Sequence, residues 1–201
     1  MEARRTVIPM SDGSGAIDAR SLSPTVLPDA FLRSDTASSA LTFRLPSYDE
    51  LPDLPLYREQ VLAFIEHALA PLSGMVEGPW LTPSMVNNYV KAGLVAPPVK
   101  KLYGREQVAR LLVICIFKQF LPIAAVQKLF RIQKVSYPTP VSYDYVADQV
   151  NRAMREAFSS SGRPPADTAT RVTRESLLVR SAATAFAAKA FLMAYLNYAG
   201  Y

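Results

Sequence analysis

The sequence predicts a mainly α-helical protein that carries one small two-stranded wing. Three observations predict it. From Tyr57 onward, apolar residues recur at the three- and four-residue spacing that lines one face of a helix. Helix punctuation frames Thr82–Gly93: an N-cap threonine, a proline at the first helical position and a terminating glycine. Between helical stretches lies Ala96-Pro-Pro-Val-Lys-Lys-Leu-Tyr103, whose prolines and paired lysines suit a tight two-stranded turn.

The chain has 201 residues, half of them hydrophobic, which is enough for a real core. Residues 1–40 are rich in Ser, Asp, Ala and Pro and lack periodicity, so they are expected to form a disordered tail. Leu45–Leu56 contains three prolines, too many for a helix interior, and reads as an extended arm anchored by Leu51, Leu54 and Leu56. Tyr57–Leu72 is helical, with Val61, Leu62, Ile65, Ala68, Leu69 and Leu72 as its apolar stripe and His67 on the outer face. The helix after Thr82 turns Met85, Val86, Tyr89 and Val90 inward, and Ser84, Asn87, Asn88 and Lys91 elsewhere. About Arg105–Phe120 forms a helix apolar all round at Leu111–Phe117, as expected of a central strut, with Cys115 as a buried structural residue.

Pro122 opens a further helix with Ile123, Val126, Leu129 and Phe130 on its stripe. Two more are expected, over about Ser142–Phe158 and Ala166–Ala199. The last is apolar from Ala182 to Tyr198 apart from Thr184, Lys189 and Asn197. The lysine and the short run argue for a buried or dimer-forming helix rather than a membrane span. The expected organisation is a tail (1–40), a helical domain with the small wing (41–134) and a C-terminal helical region (135–201).

Charge is unevenly distributed. Residues 1–79 carry a net −5, residues 80–134 a net +8 from nine basic and one acidic side chain, and residues 135–201 a net +2. A concentrated basic segment is the electrostatic footprint of a polyanion binder. The single histidine and single cysteine leave no two-histidine metal site, disulfide framework or nucleophile–base pair within one chain. No enzyme activity, cofactor or metal is expected. One free cysteine and no secretory signal lead to the expectation of a cytoplasmic protein.

Pro83-Ser-Met-Val-Asn-Asn-Tyr-Val-Lys-Ala-Gly-Leu-Val95 resembles the second helix of MerR-type winged helix-turn-helix regulators. Leu102-Tyr103 followed by Val108-Ala-Arg-Leu111 resembles that family's wing exit and third helix, and Leu121–Val126 the start of its fourth. Leu45-Pro through Val61, Leu81-Thr through Gly93-Leu, and Tyr103 onward are more similar still to a family of bacterial MerR-like proteins of unknown function, domain-of-unknown-function family 1836. The chain departs from MerR proteins in three ways. Asn87 and Asn88 replace an arginine–tyrosine pair, the wing is shorter, and no long heptad helix with paired cysteines follows.

The resemblance implies a sequence-specific DNA-binding transcriptional regulator acting as a homodimer. The residues agree, because an asparagine amide pairs bidentately with adenine and cations meet phosphates. The expected DNA-binding residues are Thr82, Ser84, Asn87, Asn88, Tyr89, Lys91, Lys100, Lys101, Tyr103 and Arg105. Double-stranded DNA and a second copy of the chain, joined through the C-terminal helices, are the expected partners. Phe186, Phe191, Tyr195 and Tyr198 offer walls for a small-molecule effector, with core packing as their other use. The alternative is a protein–protein interaction module on a winged-helix scaffold that does not bind DNA.

Overall fold

The computed structural model describes residues 7–9, 16–18, 29–76, 78–159 and 172–200. An antiparallel strand pair, β1 (Val7–Pro9) with β2 (Ala16–Asp18), precedes two short helices, α1 (Asp29–Leu32) and α2 (Asp35–Thr42). Ser34 caps α2, its Oγ accepting from Ala37 N at 3.2 Å. Regular structure therefore occurs at Val7–Pro9, at Ala16–Asp18 and from Asp29 onward, inside the stretch expected to be a disordered tail. The helix escaped notice because its buried residues are Ala37 and Ala40, which leave no large apolar stripe to read. The remaining positions of the expected tail lie outside the described residues.

The arm after α2 is held by the seventh helix, α7 (Thr139–Ala157). Asn151 brackets Leu45: its Oδ1 accepts from Leu45 N at 2.7 Å and its Nδ2 donates to Leu45 O at 3.1 Å. Asp144 accepts from Tyr48 N at 2.6 Å, and Tyr143 Oη donates to Pro46 O at 3.0 Å. Leu51 is a true anchor and Leu56 is half-buried, but Leu54 is 73% exposed. The arm turns at a single helical turn, Tyr48–Glu50. There the Glu50 carboxylate takes both Arg44 amino groups and the Ser47 backbone N–H, which holds its pKa down at about 2.

The arm ends as strand β3 (Leu56–Tyr57), which pairs antiparallel with β4 (Leu102–Tyr103). The expected two-stranded turn is present only as an isolated bridge between Val99 and Leu102, and the strand partner of β4 is the arm. Between the two strands run α3 (Arg58–Leu69) and α4 (Pro83–Lys91). After them come α5 (Arg105–Phe117) and α6 (Ile123–Ser136). Every residue of α5 from Val108 to Phe117 except Arg110 is buried, so α5 is the strut its composition predicts. Cys115 lies within it, fully buried, with Sγ 3.3 Å from Trp80 O. Burial pushes its thiol up to about 12, so it is an inert packing group.

The last helix, α8 (Arg174–Ala199), begins at the Thr173 cap, later than expected. Residues 166–171 of the expected helix lie outside the described residues. By length and composition α8 could cross a bilayer. In the structure it packs along α7 in the most extensive helix pair of the fold. Its buried face, Ala182, Ala183, Phe186, Ala187, Ala190 and Ala194, consists mostly of alanines, which permit close approach. Phe191, Tyr195 and Tyr198 ring Phe31 of α1, with centroids 5.3–5.5 Å away. These aromatics cluster on Phe31, and Phe186 is buried in the core, which is the packing use expected of them. One hydrophobic core joins all these helices, and position 134, the expected domain edge, falls inside α6.

Candidate nucleic-acid interface

Helix α4 is set by local chemistry. Thr82 Oγ1 accepts from Met85 N at 3.2 Å, and Pro83 occupies the first turn, where a missing N–H costs nothing. Gly93 takes φ of 69°, which ends the helix and lets Leu94 N and Val95 N both reach Tyr89 O, at 2.9 and 3.3 Å. Val86 and Tyr89 point into the core. Ser84, Asn87, Asn88 and Lys91, at i, i+3, i+4 and i+7, share the exposed face. Their side chains make no hydrogen bond among the described residues. They form an unobstructed polar strip one helix wide.

A tight turn at Lys100 and Lys101 follows α4 in the chain. Val99 and Leu102 exchange backbone hydrogen bonds at 3.0 and 2.9 Å around Lys100 and Lys101. Both lysines have positive φ, 51° and 68°, as a type I′ turn requires. Such turns favour Asn-Gly, and a left-handed conformation costs an ordinary L-residue about 1–2 kcal/mol. Two exposed lysines thus occupy a strained site that shorter residues would fill at lower cost. Strain retained at an exposed cationic tip is a pointer to function rather than to stability.

Three side chains that sequence reasoning did not single out hold this surface in place. Gln107 Nε2 donates to Ala96 O and Pro97 O, both at 3.0 Å, tying the wing base to α5. Gln127 Nε2 donates to Ala92 O at 2.9 Å, tying α6 to the end of α4. Lys118 Nζ donates to Trp80 O and approaches Met85 Sδ at 3.4 Å, which fixes the loop entering α4. Burial holds the Lys118 ammonium below its usual range.

Several of the expected contact residues are engaged within the fold. Tyr89 is 6% exposed and Tyr103 4%, so both rings pack in the core. Burial raises the Tyr89 phenol accordingly. Thr82 spends its hydroxyl on the cap. Arg105 is drawn to the arm, with its guanidinium 5.7 Å from the Tyr48 ring centroid and 3.7 Å from Asp49 Oδ1. Of the nine cations in the basic segment, Arg105, Arg110 and Lys118 have partners within the fold. Lys91, Lys100, Lys101, Lys128, Arg131 and Lys134 are exposed.

A family model described as Domain of unknown function (DUF1836) matches residues 46–146. The chain belongs to the DUF1836 family. The DUF1836 match runs from the arm through α4, the wing, α5 and α6 into α7, and so contains the whole candidate interface. Helices α1, α2 and α8 lie outside it. Searches of curated proteins and of solved structures find no match to the chain.

Proposed function

We propose that this DUF1836 protein is a sequence-specific DNA-binding transcription regulator on a MerR-like winged helix-turn-helix scaffold. One observation carries the reading: the exposed Ser84–Asn87–Asn88–Lys91 face of α4, in the same basic segment as the exposed Lys100–Lys101 turn. In this reading α3 and α4 are the helix-turn-helix pair, with α4 in the major groove. The Asn87 and Asn88 amides read base edges, because a fork of donor and acceptor matches the N6/N7 edge of adenine. Lys91 and the wing lysines meet phosphates, which are alike at every step and set affinity rather than sequence.

The protein acts as a homodimer in this reading. The outward face of α8 beyond Arg174 exposes Leu177, Ser181, Thr184, Ala185, Ala188 and Leu192, and this weakly polar face is best covered by a second copy. A dimer brings two α4 faces to one duplex.

The test separates reading from positioning. Asn87→Ala or Asn88→Ala is expected to cost about 1–3 kcal/mol on the preferred site and little on random DNA. The double change Lys100→Asn with Lys101→Gly is expected to weaken specific and random DNA alike. It should also stabilise the fold by about 1–2 kcal/mol, because it relaxes the turn. A gain in thermal stability alongside a loss in affinity excludes misfolding as the cause. Equal loss on both DNAs for the asparagine variants would remove α4 as the reading surface. No binding to any duplex would leave the interaction-module reading.

A further inference from the structure

A cavity of about 570 Å³ lies among α5, α6, α7 and α8, away from the α4 face. Its volume falls within the roughly 300–1,000 Å³ range of small-molecule sites. Val113, Leu129, Val146 and Val179, one from each helix, make its walls apolar. Among the described residues Arg110 is the one cationic side chain in that lining.

Arg110 is poorly satisfied. Its side chain is only 18% exposed, and its guanidinium carbon sits over Phe130, 5.2 Å from the ring centroid. Its ion pair, Nε to Glu106 Oε1, is long at 3.5 Å. That same oxygen already accepts from Thr139 Oγ1 at 2.8 Å. Among the described residues Arg110 makes no hydrogen bond. A guanidinium carries five N–H donors, and leaving them unmet in a half-buried place is costly. The other charged wall residue among the described residues, Glu175, is already paired: it accepts from Arg174 at 2.7 Å and from Ser136 at 3.2 Å.

We propose that this cavity binds an apolar monocarboxylate, its hydrocarbon body among the four helices and its carboxylate on the Arg110 fork. The planar fork matches two carboxylate oxygens at once, and Phe130 fixes its orientation. Exposed Tyr137 and Val141 border the cavity and mark its mouth. The α5 wall belongs to the helix that, near Lys118, holds the loop entering α4. The site stands apart from the DNA-binding reading, because its test reads the ligand alone.

Calorimetric titration of the full chain at neutral pH with decanoate, decan-1-ol and decylammonium, each below its micellar range, decides the matter. Decanoate is expected to bind, and decylammonium to bind at least about tenfold more weakly, since the fork repels a cation. Arg110→Met is expected to weaken decanoate about 10- to 100-fold, the loss of a charge-assisted pair, and to leave decan-1-ol unchanged. Arg110→Lys, which keeps the charge and loses the fork, should fall between the two and serves if the methionine variant fails to fold. Equal binding of decanoate and decylammonium by the unaltered chain overturns the proposal. So does no decanoate binding at all, or an equal loss of decanoate and decan-1-ol on changing Arg110.

Discussion

On the proposed reading of a DNA-binding dimer, raising salt from 50 to 200 mM is expected to weaken binding to the preferred duplex by roughly 10³–10⁵-fold. Each chain exposes Lys91, Lys100 and Lys101 around α4. Lys128 and Arg131 are exposed on α6, whose Gln127 is bonded to the end of α4. Three to five cations per chain neutralise about 6–10 phosphates in a dimer, and each releases counterions, for a log–log slope of about −5 to −9. Had all nine basic residues of the segment been available, the slope would approach about −16. The internal engagement of Arg105, Arg110 and Lys118 forbids that. Fluorescence anisotropy across a salt series measures the slope. A flat response would exclude DNA binding, and a slope near the steeper value would mean that those three side chains leave their partners on binding.

Asn151→Ala is expected to destabilise the protein by about 2–5 kcal/mol. Asn151 is 8% exposed and Leu45 1%, so neither backbone group of Leu45 gains water when the amide is removed. Each stranded buried donor or acceptor costs about 1–3 kcal/mol. The effect should spread to the wing, because the arm that Asn151 pins continues into β3, the partner of β4. Leu54→Ala is the control. That side chain is 73% exposed, and its loss is expected to change stability by no more than about 0.5 kcal/mol. Urea denaturation of both variants provides the comparison. A cost below about 0.5 kcal/mol for Asn151→Ala would show that the arm is not held there.

Much of the fold was legible because the signals were local. The Thr82 cap, Pro83, and Gly93 stop are neighbours in sequence, and they delimit α4 as expected. The apolar run of α5 made it a strut before any partner was known. The 3.6-residue period placed Ser84, Asn87, Asn88 and Lys91 on one face, where the structure has them exposed and unpartnered. Helix α2 was missed for the converse reason, since alanines are as common on solvent faces as in tight helix contacts.

The sequence by itself determined the mainly helical class, the frame of α4, the strut and the uneven charge, because each depends on residues within a turn or two. Only the tertiary structure decided which polar groups are available. Lys118 meets Trp80 across 38 residues and Asn151 meets Leu45 across 106. Arg105 turns to the arm, Tyr89 and Tyr103 turn to the core, and the tail aromatics close on Phe31. The cavity beside Arg110 exists only because four helices meet around it. Periodicity specifies which residues share a face. What covers that face is chosen by segments far away in the chain, and a one-dimensional pattern carries no record of them.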